Sequence, residues 1–114
     1  MTLSPYIRRR LEQRDPYCLH CGETNDLVIH HRKNRGMGGS KIIDVYENLI
    51  RVCNDYNVAM ESDSVQASFA LEYGHKLRSW QDFSDPVFDR CDGEWYQLNP
   101  DGTKETVWKP TSLF

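Results

Sequence analysis

The run Leu27-Val28-Ile29-His30-His31 constrains this chain more than any other feature. Three aliphatic residues, two of them β-branched, favour an extended strand. Side chains on a strand alternate faces with period 2, so two adjacent histidines at its end point in opposite directions. One imidazole can face a metal ion while its neighbour faces a substrate. Nine residues before His30 lies Cys21, which closes a Cys18-Leu19-His20-Cys21 knuckle. A glycine-rich stretch, Arg35-Gly36-Met37-Gly38-Gly39-Ser40, follows, and then Glu47-Asn48-Leu49-Ile50-Arg51-Val52-Cys53.

A chain of 114 residues is expected to form one domain with a modest core, a size at which a metal brace is unsurprising. No apolar run approaches the length of a membrane span. The start, Met1-Thr2-Leu3-Ser4-Pro5, shows no signal-peptide apolar region, so the expectation is a cytoplasmic protein. In that compartment four cysteines read as metal ligands or free thiols before they read as disulfides. The net charge of −3 conceals an asymmetry: residues 1–51 carry nine Lys/Arg against six Asp/Glu (+3), residues 52–114 five against eleven (−6). The basic half holds the histidine pair, which suits a phosphate-facing surface.

Ser4 or Pro5 can start a helix through Arg14, with Tyr6, Ile7 and Leu11 apolar and Arg8, Arg9, Arg10 and Arg14 basic, stopped by Asp15-Pro16. Those arginines either track phosphates or form a solvated face. Residues 17–22 read as the knuckle, with Gly22 free to take a positive φ. Residues 32–47 form a long loop with basic residues around its glycines. Asn48 to Val52 is the return segment, and a helix begins near Asp55 and includes Asn57 and Glu61. Ser64 is the expected N-cap of a further helix to Tyr73, closed by Gly74, with Val65 and Phe69 among its apolar positions. In the tail, Glu94 to Leu98, the turn Asn99-Pro100-Asp101-Gly102 and Thr103 to Trp108 spell a hairpin.

Taken together, Cys18, Cys21, His30-His31, Gly36 to Ser40, Asn48-Leu49 and Cys53 resemble the HNH family of nucleases, the ββα-metal finger nucleases, and most closely the small HNH proteins of bacteriophages. The family pattern runs from a CxxC through an apolar strand ending in HH and a Gly-rich loop to Asn-Leu, a second CxxC and a helical His. The likeness covers roughly residues 15–75. The resemblance implies an α+β fold: one small domain with a ββα-metal finger, flanking helices and a C-terminal extension, residues 76–114, that carries the hairpin. Two positions depart from the pattern. Tyr56 stands where the last cysteine of the second pair belongs, and Asn57 where the family histidine belongs, which makes this a His-Asn-Asn variant.

By resemblance, His31 is the general base that activates water, a task suited to an imidazole of ordinary pKa ~6.5. His30 is the first metal ligand, and Asn48 holds the base across the loop or reaches the metal itself. Asn57 and Glu61, four apart on a helix, complete the ligand set, as two histidines with that spacing do in colicin-type relatives. One nitrogen and two oxygens favour Mg²⁺ or Mn²⁺, with Zn²⁺ or Ni²⁺ as alternatives. Arg32, Lys33, Arg35 and Lys41 are the candidate contacts to DNA. Cys18, Cys21 and Cys53 lack a fourth partner for structural zinc. Either Cys91 or His20 supplies it, or the site has decayed and packing around Tyr56 and the tail braces the domain, the reading the sequence favours. The expected function is metal-dependent endonucleolytic hydrolysis of DNA, encoded by a phage or mobile element. The alternatives are a non-catalytic module of the same fold that binds nucleic acid or a phage protein, and a zinc-ribbon-like regulator.

Overall fold

A computed structural model describes residues 3–33 and 43–108. Helix α1 (Pro5–Arg14) starts where the Ser4 hydroxyl accepts from the Ile7 amide and Pro5 fills the first turn, a position that needs no N–H. Strands β1 (Leu27–His31) and β2 (Leu49–Cys53) pair antiparallel, with His30 opposite Ile50 and His31 opposite Leu49. Helix α2 (Asn54–Ser62) follows β2 directly and α3 (Ser64–Tyr73) follows α2. Strands β3 (Val87–Asp89), β4 (Glu94–Leu98) and β5 (Lys104–Val107) form a separate antiparallel sheet in that order. The chain is a single small α+β domain, and among the described residues no helix is long and apolar enough to cross a membrane.

The β1–β2 ribbon is covered on both faces, because directly opposed residues share a face and alternate along the strands. Ile50 and Val52 pack with Tyr56 and Met60 of α2, and the same core takes in Cys18, Leu19, Ala70 and, from the C-terminal sheet, Val87 and Leu98. On the other face Leu49 packs with Leu3 and Leu11, and Ile7, Ile29 and Tyr46 border them. The tail is therefore built into the main core.

Several sequence expectations shift by a residue or a role. Asp63, not Ser64, caps α3, its carboxylate accepting from the amides of Val65 and Gln66. Val65 and Phe69, expected on the apolar side, are exposed, and the residue that α3 buries is Ala70. The predicted hairpin is present as β4 and β5, but β3 was not anticipated: three residues are too few for an alternating pattern to register. Gly74 ends α3 at φ +75°, where a Cβ would lie 2.3 Å from the Pro86 carbonyl oxygen. Only glycine fits that approach.

Candidate metal and catalytic site

The strand–strand–helix succession places the two histidines as alternation requires. His30 is almost fully buried on the α2 face, and its Nε2–H donates to the backbone carbonyl of His75 at 3.1 Å. A carbonyl only accepts, so Nε2 carries the proton and Nδ1 keeps a lone pair. Burial lowers this ring's pKa to about 4, against the opposing pull of the His75 carbonyl and of Glu61. His30 is thus neutral near pH 7, the form that ligates a metal. The side chains of Asn57 and Glu61 both act on the ring, as does the Lys76 ammonium. Asn57 lies inside α2 and is not its cap; Cys53 is the N-cap, its sulfur accepting from the Tyr56 amide. Asn57 and Glu61 are thus among the groups that bear on the buried His30 ring, while the Glu61 side chain itself is about half exposed.

A residue that sequence reasoning missed faces the trio. Lys76 Nζ lies 3.7 Å from Glu61 Oε2. The only local signal was its place two residues beyond the helix-closing glycine.

His31 points to the α1 side. Its Nε2 sits 2.7 Å from Asp44 Oδ1, and both side chains are about one-quarter exposed. The carboxylate accepts, so Nδ1 bears the free lone pair. Asp44 was also missed, since nothing local links it to a histidine thirteen residues earlier. His31 borders a cleft of about 340 Å³ between α1 and β1 that is also lined by Arg8, Glu12 and Arg51.

Asn48, fully buried, works as a clamp. Its Nδ2 donates to the carbonyls of Lys33 (3.1 Å) and Ile43 (2.9 Å), and its Oδ1 accepts from the Lys33 amide (2.8 Å). It ties together the two ends of the glycine-rich loop. The expectation that it spans the loop agrees with this geometry. A catalytic or metal-ligating role does not, because its amide is spent on backbone; it is a positioning residue.

Arg32 is the clearest correction. It was expected to meet DNA phosphates, yet it is 1% exposed. Its guanidinium donates to the carbonyls of Gly74, Glu47, Phe83, Asp85 and Pro86 at 2.7–3.2 Å. Its donors are consumed in holding the segment after α3 against β1. Lys33 is likewise engaged, with the Gln81 carbonyl and the Phe83 ring. Arg35 and Lys41, with the glycines between them, lie outside the described residues. On α1, Arg14 is buried in an ion pair with Asp15, whereas Arg8 and Arg9 are exposed.

A third cluster lies at the other end of the ribbon. The sulfurs of Cys18, Cys21 and Cys53 lie within 4.8 Å of one another and could bind a metal, zinc being one option for three thiols. All four cysteines are free. Burial and the neighbouring thiols push the Cys53 pKa up to about 11. Position 56 is closed to a ligand: the Tyr56 ring stacks on His20 at 3.8 Å, and its hydroxyl meets His75 Nδ1 at 2.6 Å. His75 Nε2–H donates to the Phe88 carbonyl at 2.7 Å, which leaves Nδ1 to accept from the tyrosine. Burial holds the fully enclosed His75 ring at a pKa of about 3.

Comparison with known proteins finds no matching family model, no matching curated protein and no matching solved structure.

Proposed function

We propose that the chain is a metal-dependent endonuclease of the ββα-metal (HNH) type that hydrolyses phosphodiester bonds in DNA. One observation carries the reading: at the end of a single strand, a buried His30 under the influence of Asn57 and Glu61 lies on one side while His31 pairs with Asp44 on the other. The donor set fits a divalent ion, with the lone pair of a neutral imidazole, an amide and a carboxylate. An ion held by these residues would act as a Lewis acid on a phosphate oxygen and on the leaving 3′ oxygen.

The protein's own groups have separable tasks. His31 Nδ1 takes the proton of the attacking water, and Asp44, bonded to Nε2–H, fixes the ring's orientation and favours the imidazolium that forms. The His75 carbonyl holds His30 in the tautomer that presents Nδ1. Asn48 holds the loop ends together at a fixed spacing. Arg8 and Arg51 line the His31 cleft, Arg51 also donating to the Asp15 carbonyl, and their charge there supports a contact with phosphate.

Supercoiled plasmid provides the test. Chelator-treated protein should leave it intact, and Mg²⁺ or Mn²⁺ should restore conversion to nicked or linear DNA. Glu61→Gln should weaken binding of that ion by calorimetry. If no divalent ion supports cleavage, the nuclease reading is wrong. A second reading, a non-catalytic module of the same fold, draws on Lys76. An ammonium beside Glu61 neutralises that carboxylate without any metal. On that reading the plasmid would be bound, or ignored, but never cut.

A further inference from the structure

We propose that Cys91, delivered by the turn between β3 and β4, is the fourth thiolate of a structural zinc site whose other ligands are Cys18, Cys21 and Cys53. This site is separate from the His30 centre, and the inference stands whether or not the chain cleaves DNA.

The three thiols lie within 4.8 Å of one another, and one pair already has the spacing of a tetrahedral centre. Zinc–sulfur bonds of about 2.3 Å place ligand sulfurs roughly 3.8 Å apart, and Cys21 Sγ and Cys53 Sγ are 3.8 Å apart. Two backbone amides aim at this cluster. His20 N donates to Cys18 Sγ and Tyr56 N to Cys53 Sγ, each at 3.4 Å. Such donors offset the negative charge that accumulates on clustered thiolates. A closed structural site needs a fourth ligand. Tyr56 cannot serve, with its ring and hydroxyl committed to His20 and His75. His20 is committed to the same stack.

Cys91 remains, and its turn is fastened to the knuckle. The Arg90 amide donates to the Leu19 carbonyl (2.9 Å), and Tyr17 donates its hydroxyl proton to Asp89 Oδ2 (2.7 Å). Asp89 Oδ1 accepts from the Cys91 amide (2.8 Å). Cys91 Sγ lies 3.5 Å from the Cys18 carbonyl and is not one of the three sulfurs that lie within 4.8 Å of one another. Gly22 makes room for it, since a Cβ there would come within 3.2 Å of that sulfur. The present contact with the carbonyl depends on the thiol proton. A thiolate cannot donate and is repelled by the carbonyl oxygen, so deprotonation frees the sulfur to turn toward the other three. Binding converts four thiols to thiolates, releases four protons and forms four zinc–sulfur bonds. The ligand that α2 does not supply at position 56 thus comes from the β3–β4 turn, and the metal staples the C-terminal sheet to the knuckle.

The test uses the full chain purified without chelator. Elemental analysis should find one zinc per chain, and X-ray absorption should find four sulfur neighbours. Cys91→Ser should lower zinc affinity at least tenfold, and Cys91→His should keep the metal with three sulfurs and one nitrogen. Absence of zinc overturns the proposal. So does a wild-type site with only three sulfurs, or unchanged affinity in Cys91→Ser. If Cys91→Ser does not fold, the wild-type sulfur count decides alone.

Discussion

The two faces of the β1–β2 ribbon differ in what they do with a histidine. On the α2 face, His30 is buried with its Nε2 proton given to a carbonyl, and burial holds the ring neutral. On the α1 face, His31 is partly exposed, paired with Asp44, and opens onto a cleft that carries arginines. One strand end therefore supplies a dry ring suited to ligation and a wet ring suited to proton transfer. The difference arises from what packs on each side and not from the dipeptide, whose two members are chemically identical.

The largest effect should come from the wet face. On the proposed mechanism His31→Ala removes the proton acceptor, and loss of a general base is typically worth ~10² to 10⁴ in rate. Plasmid cleavage should fall by that factor with the melting temperature nearly unchanged. Asp44→Asn, which keeps a hydrogen-bonding group but not its charge, should fall by less, about tenfold. Turnover of His31→Ala within a few-fold of the parent would show that the two rings do not divide the work in this way.

Much of this frame was legible in the sequence. The bounds of β1, the start of α1 and the hairpin of β4 and β5 follow from local signals: a β-branched run, a serine before a proline, and a turn ending in glycine. The opposite directions of His30 and His31 and the shared helix of Asn57 and Glu61 also follow, because strand alternation and helical spacing are geometric. What could not be read were contacts made across the chain. Arg32 looks like its basic neighbours, and it is the return of residues 74–86, with four of the five carbonyls it donates to, that buries it. Asp44, Lys76 and His75 matter because of where the fold brings them. Cys91 lacks a partner at knuckle spacing, so the sequence offers it only as one candidate beside His20.

Arg32 offers the next test of the comparison, because it follows the histidine pair yet belongs to neither role. Arg32→Lys keeps the charge but has at most three donors, with no planar fork. Several buried carbonyls would lose their partner. A loss of roughly 3–5 kcal/mol is expected, as for breaking other buried charged networks, and the melting temperature should drop by more than about 10 °C. The salt dependence of DNA binding by the folded fraction should not change. A variant of parental stability whose DNA affinity loses salt dependence would restore Arg32 to the phosphate-facing surface.

The smallest predicted effect tests whether the α2 side is as dry as its contacts imply. His30 and His75 titrate at about 4 and about 3 in the folded chain because burial disfavours the imidazolium. In the unfolded chain a histidine titrates near ~6.5. Between those values the unfolded state binds more protons, so stability falls as pH falls. The contribution is fully present above pH ~6.5 and is lost progressively toward the folded values. A tenfold change in proton concentration is worth ~1.4 kcal/mol per ring, so metal-free protein taken from pH 7 to pH 5.5 should lose on the order of 1–3 kcal/mol. Denaturant midpoints measured with chelator present would record it, and the unfolding slope should stay constant. A midpoint that does not move across this range would mean that water reaches these rings, and the contrast between the two faces would then have to be sought in their partners and not in their burial.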